Sequence, residues 1–162
     1  MTTVSIRPAE IGDRSFLLST MRSTLLRKSA YCAGLHPEAM NVILEPVLAT
    51  FSAAVLTTPK DPNTILGFIV WKGQTVAFVY VRDGVRRKGF GRKLIEHAGI
   101  KTGVIEAPFL VTKIDPPHPG ARPGTLTALA KGRGFELHFR PYLPLDLTAR
   151  LLVPAPDAPP SQ

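Results

Sequence analysis

Residues 81–94 read VRDGVRRKGFGRKL, with six cations and three glycines in fourteen positions. These residue types suit the capture of a phosphate-bearing ligand. Arg86, Arg87, Lys88 and Arg92 supply formal charge. Gly89 and Gly91 let the backbone approach a ligand with no β-carbon in the way. If a helix follows at once, its first amides have no intrahelical partner and point outward, and its dipole adds partial positive charge there. That combination favours a pyrophosphate. A nucleic-acid patch and a solvated turn before a helix are the competing interpretations of the same residues.

The elements around the run must deliver that geometry. Thr75–Val81 (TVAFVYV) is rich in β-branched and aromatic residues and predicts a strand. Residues 64–71 (TILGFIVW) predict another, joined to it by Lys72, Gly73 and Gln74 in a tight connection, so the two form an antiparallel meander. Within residues 75–81 side chains alternate, which puts Phe78 and Tyr80 on one face and Val79 and Val81 on the other. A helix over 89–98 turns Leu94, Ile95 and Ala98 inward. Upstream, residues 3–7 predict a first strand ending at Pro8. A helix over 10–28 carries Phe16, Leu17, Thr20, Met21, Thr24 and Leu25 on one stripe. A second helix starts at His36 and Pro37, and Pro46 is expected to kink or split it. Residues 53–58 predict a strand. Downstream, 108–114 predict a strand, 115–124 a loop, 125–133 a short helix, and 135–140 and 143–147 the last strands. Residues 1–150 read as one domain and 151–162 as a proline-rich tail.

Composition narrows the function classes. The chain has 162 residues, 44% of them hydrophobic, which suits one globular domain. No apolar run reaches the roughly eighteen residues that span a bilayer. The start, MTTVSIRPAEIGD, lacks the charged end and apolar stretch of a secretory signal. The single cysteine, Cys32, excludes an intramolecular disulfide framework, and four scattered histidines beside it argue against a structural metal. A cytoplasmic setting is the simplest expectation. The formal charge is +8, and residues 82–93 hold six cations against Asp83. More than half of the excess is therefore focused on one short stretch, which attracts anionic ligands.

Other glycine motifs do not fit. A P-loop needs G-x-x-x-x-G-K-[ST], which is absent. A dinucleotide fingerprint needs a third glycine where Leu94 stands, after a strand of a parallel βαβ unit. Arg86-Arg87-Lys88-Gly89-Phe90-Gly91 instead resembles the R-x-x-G-x-G signature of the GNAT acyltransferase superfamily. The likeness extends in family order to Val4-Ser5-Ile6-Arg7-Pro8-Ala9, to Ile65-Leu66-Gly67-Phe68-Ile69-Val70 and to Gly134-Phe135-Glu136, covering roughly residues 3 to 140.

The resemblance implies an α/β (α+β) fold. Its mixed, twisted, mostly antiparallel sheet has about 6–7 strands, helices on both faces and a cofactor cleft between the fourth and fifth strands. It implies acetyl-coenzyme A as cosubstrate, no metal, and direct acyl transfer to an amine by a monomer or homodimer. Val79, Tyr80 and Val81 would meet the pantetheine arm. Arg86, Arg87, Lys88, Gly89, Phe90, Gly91 and Arg92 would serve the phosphates. The familiar catalytic half is not matched. Ala130 stands where many relatives carry a tyrosine acid, and Thr75–Val81 contains no carboxylate base. Tyr80 and Asp115 are the substitute catalytic candidates, with His118 as a possible relay. Tyr31, His36 and Glu38 are the candidates for the acceptor side. A nucleic-acid-binding protein on a GNAT-like scaffold and a catalytically degenerate coenzyme A binder are the alternative functions.

Overall fold

A computed structural model describes residues 3–28, 32, 34–100, 104–107, 132 and 136–139 of the chain. These residues form the strands β1 (Ser5–Pro8), β2 (Ser52–Thr57), β3 (Gly67–Lys72), β4 (Thr75–Val81), β5 (Val104–Ala107) and β6 (Glu136–Phe139). The helices among them include α1 (Arg14–Lys28), α2 (Pro37–Thr50) and α3 (Phe90–His97). The strands make one sheet in the order β1-β2-β3-β4-β5-β6. The first three pairings are antiparallel, and the last two are parallel. The fold is thus mixed α+β, with its antiparallel half built from the meander that the sequence predicts.

Side-chain alternation divides the sheet between two cores. On one face Val55, Phe68, Val70 and Phe78 meet Leu17, Met21 and Leu25 of α1 and Met40, Leu44 and Val47 of α2. On the other face Ala54, Leu56, Ile69, Val79 and Val81 meet Phe90, Leu94 and Ile95 of α3. Each fully buried side chain of this size contributes roughly 1.5–3 kcal/mol. Three of them, one turn or less apart, anchor the eight-residue α3, which is too short to persist alone. In α1 the buried line is Leu17, Met21 and Leu25, at a strict spacing of four, while Phe16 lies at its exposed edge.

A β-bulge sets the phase of β4. Val70 pairs with Phe78 but Trp71 pairs with Val76, so Ala77 is the extra residue. Ala77 and Phe78 therefore both join the first core, and Val76 turns to the second. Beyond the bulge the regular pleat holds, with Tyr80 against the first core and Val79 and Val81 in the second.

Three sequence expectations need correction. Residues 10–28 are not one continuous α-helix, because Ile11–Asp13 is a 3-10 turn that leads into α1. Pro46 does not split α2, which runs unbroken from Pro37 to Thr50. Proline cannot donate to the carbonyl four residues back, but Val42 is exposed, so that carbonyl can turn to solvent. The fifth strand begins at Val104, ahead of the expected start at Pro108. Four residues with two β-branched members give too short a signal beside a proline that reads as a boundary. Residues 108–114, 125–131 and 143–147, where further elements are expected, lie outside the described residues.

Candidate active site: the β4 edge and the Gly89 loop

The site is built on the second half of β4. The Arg82 amide donates to the Leu66 carbonyl at 2.8 Å, on the β3 side. In an antiparallel ladder backbone groups alternate sides, so Tyr80 shares that side with Arg82. The Tyr80 carbonyl indeed faces Gly67, where a β-carbon would meet it at 2.6 Å. The amides and carbonyls of Val79 and Val81 consequently face away from β3, toward the β5 side. β5 pairs with β4 in register at Thr75 and Glu106, near the opposite end of the strand. An edge of this kind can accept an extended ligand as an added strand.

The chain then turns sharply. The Val85 amide donates to the Arg82 carbonyl at 3.0 Å and the Arg86 amide to the Asp83 carbonyl at 3.3 Å, closing a 3-10 turn over Asp83–Val85. Arg87 follows with φ of 65°, in the left-handed region that non-glycine residues avoid. Gly89, with φ of 78° and ψ of 8°, is the N-cap of α3. The Lys93 amide is the first to find a helical partner, the Gly89 carbonyl at 3.1 Å. The amides of Phe90, Gly91 and Arg92 therefore sit at the open end of the helix. No capping side chain covers that end.

The predicted cofactor residues divide by what they can offer. Phe90 is buried in the second core, so it presents only its backbone. Arg87, Lys88, Gly89 and Arg92 are exposed, as are Arg82 and Lys93. Arg86 is exposed too, but it differs from the other cations in its contacts. Its Nε donates to the Val81 carbonyl at 2.8 Å, and its Nη1 lies 2.6 Å from Asp83 Oδ1. Sequence reasoning missed both contacts, and it missed the positive φ of Arg87. An acid three residues before an arginine signals a local ion pair, but only the turn shows that the pair forms here.

Tyr80 is half-buried, and its ring lies 5.5 Å from that of Phe68 in a tilted contact. Phe68 also stacks on Phe78 at 5.8 Å and meets the edge of Phe16 at 6.2 Å. The Phe68 contact orients Tyr80 at the β4 edge. On the acceptor side, His36 is the N-cap of α2, its Nδ1 accepting from the Glu38 amide at 3.3 Å. Both side chains are exposed, and His36 Nδ1 lies 4.0 Å from Glu38 Oε2. In the structure this pair caps the start of α2. Tyr31, Asp115, His118 and Ala130 lie outside the described residues. Among the described residues no group of three histidine, cysteine, aspartate or glutamate side chains could hold a metal, and no helix is long and apolar enough to cross a membrane.

No family model and no curated protein matches the chain. Solved structures do. Apo-form YjaB from Escherichia coli is 21% identical with a TM-score of 0.46, over 59% of this chain and 64% of that one. A GCN5-related N-acetyltransferase from Rhodopseudomonas palustris is 18% identical with a TM-score of 0.44, over 61% of this chain and 65% of that one. The paia N-acetyltransferase from Thermoplasma acidophilum, solved with coenzyme A, is 16% identical with a TM-score of 0.40, over 60% of this chain and 70% of that one. The chain thus spans under two thirds of the length of the first two. The structures to which this chain is similar include GNAT-family acetyltransferases, at low identity and over part of its length.

Proposed function

We propose that the chain is an acyl-coenzyme A dependent N-acyltransferase, most simply an acetyltransferase that moves acetyl from acetyl-coenzyme A to an amine. One observation carries this. The outward-facing backbone of Val79 and Val81 leads within eight residues to the left-handed Gly89 and the open amides of α3. An extended amide-bearing arm and a pyrophosphate, joined as in coenzyme A, need those two features in that order. Residues 1–150 form the acyltransferase domain under this proposal, working in the cytoplasm as a monomer or homodimer.

The chemistry follows from the thioester. The amine nitrogen attacks the carbonyl carbon, a C–N bond forms, the C–S bond breaks, and the thiolate leaves with its electron pair. The nitrogen must lose a proton and the thiolate gains one. Val79 and Val81 would hold the arm by backbone hydrogen bonds, and the amides of Phe90, Gly91 and Arg92 would hold the pyrophosphate. Arg87, Lys88 and Arg92 would add charge around it. The Tyr80 hydroxyl, at the rim of the first core, is the candidate proton donor to the thiolate. Asp115 is the candidate base.

Calorimetric titration with acetyl-coenzyme A tests the cradle. The chain is expected to bind it, and Gly91→Glu to weaken binding by about a hundredfold, since a carboxylate at the pyrophosphate site opposes a paired charge. Gly89→Glu adds backbone strain to the same repulsion and needs a melting-temperature control. Absence of binding by the unaltered chain would overturn the proposal. Thioester cleavage across a panel of amines then separates an enzyme from a degenerate coenzyme A binder.

A further inference from the structure

Among the six cations of residues 82–93, Arg86 is the one whose guanidinium is engaged on two sides. Its Nε donates to the Val81 carbonyl, the last of β4, at 2.8 Å. Its Nη1 meets Asp83 Oδ1 at 2.6 Å. Its own amide donates to the Asp83 carbonyl at 3.3 Å. The side chain therefore spans the 3-10 turn, from the strand end to the turn's first residue. Immediately after it the backbone enters the left-handed conformation at Arg87, which only surrounding constraints can hold. With its Nε on a carbonyl and one Nη on a carboxylate that offsets its charge, this guanidinium is held back over the turn and offers a phosphate less than the neighbouring cations do.

We infer that Arg86 is a positioning residue. It closes the turn that aims the Gly89 loop, fills the Val81 carbonyl, and leaves phosphate contact to the neighbouring cations and helix amides. The inference rests on the acyl-coenzyme A reading above. It assigns Asp83 a part as well, as the anion that keeps Arg86 folded back along the turn. The Val79 amide and carbonyl and the Val81 amide are then the strand groups left for an extended ligand.

A phosphate ligand and a brace respond oppositely to two substitutions. Lysine keeps the charge but cannot reach a carbonyl and a carboxylate through one planar fork. Asparagine at position 83 removes a negative charge beside the phosphate mouth and frees Arg86. The test is calorimetric titration of acetyl-coenzyme A into the full chain, Arg86→Ala, Arg86→Lys and Asp83→Asn at about 0.5 M salt, where long-range charge effects are screened. As a brace, Arg86→Ala and Arg86→Lys both weaken binding by about tenfold, and Asp83→Asn also weakens it. Amide exchange checks the same point without ligand. The Val85 and Arg86 amides should exchange faster in Arg86→Ala and Asp83→Asn, while the Arg82 amide, bonded into the β3–β4 ladder, stays protected. Rescue by lysine, tighter binding by Asp83→Asn, binding by Arg86→Ala as tight as the original, or unchanged exchange at Val85 and Arg86 would each overturn the inference. If the unaltered chain does not bind, the acyltransferase reading itself fails, a result no variant is needed to recognise.

Discussion

At the scale of the residue, Arg87 carries the clearest backbone cost among the described residues. A left-handed conformation penalises an L-residue by roughly 1–2 kcal/mol, and glycine escapes the penalty. Glycine recovers only part of it, because it also loses more backbone freedom on folding. Arg87→Gly is therefore expected to stabilise the chain by about 0.5–1 kcal/mol, raising the melting temperature by a few degrees at most. The same change removes an exposed cation from the proposed phosphate mouth, and acetyl-coenzyme A affinity should fall about fivefold. Thermal melting and calorimetry together check the pair of effects. A gain in stability with no loss of affinity would mean that the arginine serves no ligand at this position.

At the scale of the element, the close approach of β3 and β4 depends on Gly67. A β-carbon there would stand 2.6 Å from the Tyr80 carbonyl and 3.5 Å from Leu94 of α3. The first contact is to backbone, so it cannot be relieved by a side-chain rotation. Gly67→Ala should destabilise by about 1–3 kcal/mol, as overpacking in a dense core does, and should displace the strand that carries Val79 and Val81. Urea unfolding checks the magnitude, and a disproportionate loss of acetyl-coenzyme A binding would report the displacement. Much of this layout was legible in the sequence. The alternation of Phe78 to Val81, the meander and the inward face of α3 follow from local periodicity, which the backbone obeys wherever one face is buried. The bulge at Ala77 was not legible, since only the pairing partner reveals the extra residue. Nor was the turn to α3 readable in detail. The run of arginines looks uniform as text, yet the turn ties Arg86 back to Val81 and Asp83, twists Arg87 and leaves Lys88 in solvent. His36 and Glu38 were candidates for the acceptor side because their types can do chemistry. Their hydrogen bond is that of a helix cap.

At the scale of the whole molecule, distant parts of the chain are tied by one buried-edge ion pair. Arg7 of β1 donates to both oxygens of Asp13, at 2.6 and 3.1 Å, and also to the Pro62 carbonyl at 3.2 Å. Asp13 in turn accepts from the Glu10 amide at 2.8 Å, which fixes the entry to α1. The pair joins the first strand, the 3-10 turn that leads into α1 and the loop between β2 and β3. Both side chains are largely shielded, at 23% and 12% exposure, so solvent weakens the pair less than it would on an open surface. The hydrogen bond from Arg7 holds the Asp13 carboxyl below the usual carboxylate range, with the Glu10 amide adding to the effect against a desolvation cost. A carboxyl lowered in the folded state favours folding fully when the pH is above its unfolded value, about 4. That contribution disappears as the pH falls through the lower, folded value. Asp13→Asn should therefore be less stable than the original chain at pH 7 by about 1.5–3 kcal/mol, the range for a hydrogen bond to a charged group. The difference should shrink as the pH is lowered from about 5 toward 2. Denaturant unfolding across that window, with the original chain and the variant side by side, cancels the titration of carboxylates common to both, such as Asp61 in its hydrogen-bonded turn. A difference that stays constant with pH would show that Asp13 acts through packing and its neutral hydrogen bonds. A difference that closes would show that charge pairing between β1 and the start of α1 holds this side of the sheet together.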